Sequence, residues 1–163
     1  MTPQVYISDT NIWIDFRNAG LLDALFSLPF KLCCTDFVLD ELQVFDHTHL
    51  RMRGLFVETL DEQATAALFP LMQAHKNSSL ADVSCYQLAK QTGRPLLTGD
   101  GRLRKQAMAD GLQVHGALWL LDQMVAHQII EPKNAAQHLQ SMMNAGSRLP
   151  EADCQKRLAF WSD

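Results

Sequence analysis

Short apolar runs, each closed by turn or cap residues, alternate with helix-patterned segments along most of this chain. Val5-Tyr6-Ile7 reads as a buried strand that ends in Ser8-Asp9-Thr10-Asn11, where turn chemistry begins. Helical segments follow over residues 12–16 and 21–28, before Pro29. Residues 31–35 form a second strand, and Asp36 is placed to cap a helix from Phe37 to about Phe45. Residues 55–60 form a third strand, with Asp61 capping a helix that reaches about His75. After the loop Asn77-Ser78-Ser79, a helix runs from Ser79 to Gln91 and Gly93 stops it. Residues 95–98 are a fourth strand, Gly99-Asp100-Gly101 a tight turn, and residues 102–109 a helix closed by Gly111. Residues 112–115 are a fifth strand and residues 118–127 a helix. Two more helices fill residues 130–163, with Pro132 in a first turn and Gly146 between them.

Strands that alternate with helices predict βαβ units: a three-layer α/β/α sandwich around a mostly parallel five-stranded sheet. The simplest division is one domain over residues 1–127, with a helical extension over residues 128–163 packed on it.

Composition changes this picture little. The 163 residues are 47% hydrophobic and 20% charged, ordinary for a globular domain with its own core. The start, Met1-Thr2-Pro3-Gln4-Val5, lacks a basic region followed by an apolar stretch, and no apolar run approaches the ~20 residues of a membrane helix. The expectation is a cytoplasmic chain without membrane contact. Cys33, Cys34, Cys85 and Cys154 contain no Cys-x-x-Cys pair and read as buried, reduced thiols. The formal charge of −4 argues against a general nucleic-acid binder. It is compatible with a site rich in carboxylates, whose sign a bound divalent cation would invert locally. Basic residues are also grouped, in Arg51-Met52-Arg53 and Arg102-Leu103-Arg104-Lys105.

In open parallel sheets, ligands bind beyond the carboxyl ends of the strands. Asp9 follows the first strand and Asp100 the fourth. Glu41 and Asp82 lie near the starts of helices that would open at the same rim, Asp82 among apolar or small neighbours. Carboxylates so gathered raise one another's pKa unless a cation relieves them, and oxygen donors suit Mg²⁺ or Mn²⁺. Each acid alone has a plainer reading. Asp9 and Asp100 can be turn residues, Ser79-x-x-Asp82 resembles a capping box, and Glu41 can sit on a solvated helix face.

Ser8-Asp9-Thr10-Asn11, Val38-Leu39-Asp40-Glu41-Leu42, Leu80-Ala81-Asp82-Val83-Ser84 and Leu97-Thr98-Gly99-Asp100-Gly101-Arg102-Leu103-Arg104 together resemble the PIN-domain family, over roughly residues 5–125. The resemblance implies strands one and four adjacent at the centre of the sheet. It implies a Mg²⁺- or Mn²⁺-dependent ribonuclease in which Asp9, Glu41, Asp82 and Asp100 are catalytic and hold the metal. Asn11 and Thr98 fall where the family has supporting polar residues, and Arg102 and Arg104 are candidate phosphate contacts. RNA is the implied substrate, cut by metal-activated water to leave a 5′-phosphate. Many bacterial members are toxins of toxin–antitoxin pairs, which implies a homodimer and a small antitoxin partner. Gly101-Arg102 offers no further acid after Asp100, a departure that bears on a second metal.

Two rival readings stand beside this one. A phosphatase-like hydrolase with Asp9 as nucleophile wants an acid two residues on, where this chain has Asn11. A non-catalytic RNA- or protein-binding module of the same fold suits the acidic charge but leaves the gathered acids without a purpose. Asp46-His47-Thr48-His49 reads as a surface loop rather than a zinc site, and His115 as a packed or solvated residue rather than a catalytic one. Met142, Met143 and Trp161 are expected to pack the C-terminal helices.

Overall fold

The computed structural model describes residues 4–163. The leader reading of Met1-Thr2-Pro3 therefore lies outside the described residues. Five short strands make one all-parallel sheet: β1 (Val5–Ser8), β2 (Lys31–Thr35), β3 (Phe56–Glu58), β4 (Leu96–Leu97) and β5 (Val114–His115). Their order is β3-β2-β1-β4-β5, so β1 is central and the chain reverses its direction of travel across the sheet there. Ile7 pairs with Leu96 and Ser8 with Leu97, which makes β1 and β4 neighbours and ends them side by side. This is the expected α/β arrangement, with its switch point between the two strands that precede Asp9 and Asp100.

Helices cover both faces. Thr10–Asn18 (α1) buries Ile12, Trp13 and Phe16, the apolar stripe of an amphipathic helix. After the single turn α2 (Leu22–Leu25), α3 (Asp36–Glu41) follows β2 directly. Its cap is Thr35, whose hydroxyl accepts from Val38 N, and not Asp36 as predicted. The helix also stops at Glu41, short of Phe45. A helix absent from the sequence reading, α4 (His47–Arg53), begins where a loop was expected. Asp46 caps it by accepting from His49 N. His47 bonds to the Leu42 carbonyl and His49 to Asp23, so the two rings serve separate contacts.

The helix expected after Asp61 is two, α5 (Glu62–Ala66) and α6 (Leu68–Ala74). Pro70 explains the break: it has no N–H to give the Ala66 carbonyl, and its ring crowds that carbonyl. The long helix α7 (Leu80–Thr92) is buried around most of its circumference, packs on α3, α6, β1 and β2, and ends at Gly93 with φ 74°. The last four helices are α8 (Gly101–Ala109), α9 (Ala117–Ala126), α10 (Pro132–Asn144) and α11 (Glu151–Trp161). α10 lies against α1, α9 and α11, with Met142 and Trp161 buried. No helix among the described residues is long and apolar enough to cross a membrane.

Candidate active site

Asp9 stands at the end of the central strand and is fully buried. One carboxylate oxygen caps α1, accepting from Ile12 N at 3.0 Å. The other accepts from the Thr98 hydroxyl at 2.7 Å and from Gly99 N at 3.2 Å. The Thr98 hydroxyl also accepts from Asp100 N at 3.1 Å. Thr98 thereby ties the residue after β1 to the residue after β4 through one atom. Asp100 caps α8, its Oδ1 accepting from Arg102 N and Leu103 N, while its Oδ2 accepts from the Ser78 hydroxyl at 2.5 Å. The turn-residue reading of both aspartates is thus half right: each is an N-cap, and each faces the rim between β1 and β4.

Asp82 enters from the first turn of α7. Ser79 caps that helix by accepting from Asp82 N, but the other half of a capping box is missing: Asp82 Oδ1 is buried with no hydrogen-bond partner. Asp36 Oδ1 and Trp13 Nε1 share that condition elsewhere in the molecule. Glu41 is the last residue of α3 rather than an early one; the helix is so short that its end still reaches the rim, where the Thr10 hydroxyl donates a long bond of 3.4 Å to it.

The electrostatics gather the four acids. Burial pushes the Asp82 carboxyl up to about 7, and the charges of Asp9, Glu41 and Asp100 push it in the same direction. Burial likewise raises Asp9 to about 6, against the pull of bonds from Thr98, Ile12 and Gly99. Asp15 adds its own charge to Asp9 and is itself raised by burial. Among the described residues, no three His, Cys, Asp or Glu side chains already stand as a ligand set around one ion. Asp9 and Asp100 give their oxygens to helix caps and to Thr98 and Ser78. The donor set nonetheless suits a hard cation, because all the groups are carboxylates and one buried oxygen, Asp82 Oδ1, accepts no hydrogen bond among the described residues.

A cleft of about 850 Å³ opens on this rim, lined by Asp82, Asp100, Asn11 and Arg102, with Asp15, Lys105 and Arg148 besides. Arg104 does not reach it. Its guanidinium packs at the head of α9, where a Cβ on Gly116 would stand 3.3 Å from Nη1, and it lines a second cleft of about 730 Å³. His115 stacks on Trp119 with ring centres 3.9 Å apart and is packed as expected. All four cysteines are buried and free.

Sequence reasoning missed Asp15, Ser78, Lys105 and Arg148. Asp15 was legible, since Asn11, Ile14, Asp15 and Asn18 all line the cleft at i, i+3, i+4, i+7 spacing, the face of α1 opposite its core stripe. Arg148 comes from the turn between α10 and α11, and no local signal connects that turn to this rim.

The architecture is similar to a solved structure, a PilT N-terminus domain protein from the hyperthermophilic archaeon Sulfolobus solfataricus, with a TM-score of 0.51 and 14% identity over 73% of this chain and 92% of that one. At that identity the likeness speaks to fold alone. No curated protein matches the sequence. A family model described as PIN domain matches residues 5–163, which takes in α10 and α11 as well as the sheet. With β1 and β4 adjacent at the centre of a parallel sheet and acids after both, the chain belongs to the PIN-domain family.

Proposed function

We propose that this chain is a metal-dependent ribonuclease whose Asp9, Glu41, Asp82 and Asp100 hold Mg²⁺ or Mn²⁺ at the rim between β1 and β4. The observation that carries the reading is Asp82: a buried carboxyl oxygen without a donor, in the field of three other acids, is a position that a divalent cation relieves. Family membership supports it, since PIN domains are generally nucleases that use divalent metals.

When bound, the ion supplies polarisation of a phosphate and a lowered pKa for water. The chain's own residues do the rest. Thr98 and Gly99 orient the Asp9 carboxylate, and Ser78 orients that of Asp100. Asn11 and Arg102 line the cleft where they can meet substrate oxygens, Arg102 by its planar fork of donors. Arg104 lines the second cleft instead of this one. No His or Lys is needed as general base.

A second reading, a binding module without catalysis, is favoured by the saturation of Asp9 and Asp100 with protein donors. Incubation of the purified chain with single-stranded RNA in Mn²⁺ and in chelator separates the two. The nuclease reading expects cleavage in Mn²⁺, none in chelator, and none by Asp9→Asn. Cleavage by Asp9→Asn at the wild-type rate would remove the catalytic assignment, and RNA binding without cleavage in any divalent metal would favour the module.

A further inference from the structure

The acid-lined cleft has a wall made by the turn between α10 and α11. Ala145, Gly146, Ser147 and Arg148 all line it. Ser147 fixes the turn to α1, its hydroxyl donating to Asp15 Oδ1 at 2.6 Å. That bond spans 132 positions of sequence and holds the C-terminal helices against the site.

Arg148, the next residue, is exposed and lines both clefts. The two clefts also share Gly99 and Gly101, so Arg148 stands at their junction. Among the described residues, its guanidinium makes no hydrogen bond or ion pair, and the same holds for the side chains of Arg102, Arg104 and Lys105. Elsewhere the molecule pairs its half-buried arginines: Arg94 with Glu58 and Arg157 with Asp122. The four unpaired cations are all exposed, as is Arg51, which also makes no hydrogen bond or ion pair among the described residues, so it is their place that sets them apart: they ring two joined clefts in a protein of net charge −4. Their common ligand chemistry is a chain of phosphates, because a single anion would meet at most the nearer ones.

We infer that Arg148 contacts a phosphate of the substrate strand where it passes from the acid-lined cleft into the second one, and that the turn at residues 145–148 positions the strand. This rests on reading the cleft as a nucleic-acid site, and it gives the C-terminal helices a part in that site. Arg148 would touch substrate phosphate away from the acids, so its loss should weaken binding more than turnover.

The test is fluorescence anisotropy with a short labelled single-stranded RNA, in chelator so that nothing is cut, between about 50 and 200 mM salt. Arg148→Ala is expected to bind severalfold more weakly, with a log–log salt slope shallower by about 0.7, the loss of one single-strand phosphate contact. Arg148→Lys should keep the slope. Lys133→Ala, which removes an exposed charge outside both clefts, should match wild type. Ser147→Ala frees the turn and should also bind more weakly than wild type, while keeping the wild-type salt slope. An Arg148→Ala slope equal to wild type overturns the inference, as does a loss no larger than that of Lys133→Ala, or a wild type that binds no RNA. If wild type and Arg148→Ala differ as expected but nothing is cleaved in Mn²⁺, the nuclease reading fails and this one stands.

Discussion

Glu58 and Asp82 are both carboxylates drawn in from solvent beside the same sheet, and the fold treats them in opposite ways. Glu58, at the end of edge strand β3, meets the Arg94 guanidinium at 2.5 Å. Asp82, at the start of α7, meets no cation among the described residues, keeps one buried oxygen without a hydrogen bond, and is raised to about 7 by burial first and then by the charges of three nearby acids. At β3 the protein compensates a charge internally. At the rim it leaves like charges together, and two of them, Asp82 and Asp100, line the cleft that opens there. The difference teaches where the chain expects help from outside, because uncompensated acids are a cost to folding that a ligand can repay.

The largest effect that would sharpen this comparison is on catalysis. Asp9→Asn keeps the cap on α1 and the volume of the side chain while removing the charge. Since even groups that merely support a metal ligand cost 10–100-fold, its RNA cleavage in Mn²⁺ should fall by on the order of a hundredfold or more. A gel assay checks this.

The next effect is on stability. Asp9 and Asp82 have native values above the usual carboxylate range, so between pH about 4 and 7 the native state holds more protons than the unfolded chain. Metal-free protein should therefore lose stability as pH rises through that window. Asp82→Asn should remove much of that slope and raise metal-free stability at pH 8 by roughly 1–3 kcal/mol. Urea melts at about pH 4 and at pH 8 measure it, and an Asp82→Asn protein less stable than wild type at pH 8 contradicts it.

Thr98→Val is a smaller change with two readouts. It deletes the hydroxyl that joins Asp9 to Asp100 and should cost about 1–2 kcal/mol. Because that hydroxyl pulls the Asp9 pKa down, the Asp9 carboxyl should titrate higher in the variant, as followed by NMR of the metal-free protein. The smallest effect belongs to the compensated site. Glu58→Gln should cost at most about 1 kcal/mol and leave cleavage unchanged, as expected for a half-exposed pair.

Much of this arrangement was legible before the structure. The acids after the first and fourth apolar runs predicted a shared rim, and parallel pairing of Ile7 with Leu96 puts them there. Buried strands and Gly-terminated helices announce themselves because local chemistry decides them. The helix α4 did not, since its sequence His-Thr-His is a weak helix former and only Leu50 is buried. Its order comes from the Asp46 cap and from His49 reaching Asp23. The break between α5 and α6 is readable from Pro70, which cannot donate to the preceding turn. Thr35 displaced Asp36 as a cap because β2 runs straight into α3, a junction that sequence spacing resolves only to within a residue. Arg148 was out of reach for another reason: its place depends on how α10 packs on α1, a contact between distant stretches.

Calorimetric titration of the metal-free chain with Mn²⁺ at about pH 6, where Asp82 and Asp9 still hold protons, goes most directly to the acids at the rim. The account predicts saturable binding to the wild type, release of protons as Asp82 and Asp9 ionise, and affinity at least about tenfold weaker in Asp82→Asn. Wild-type protein that takes up no Mn²⁺, or an Asp82→Asn variant that binds it equally well, would contradict it.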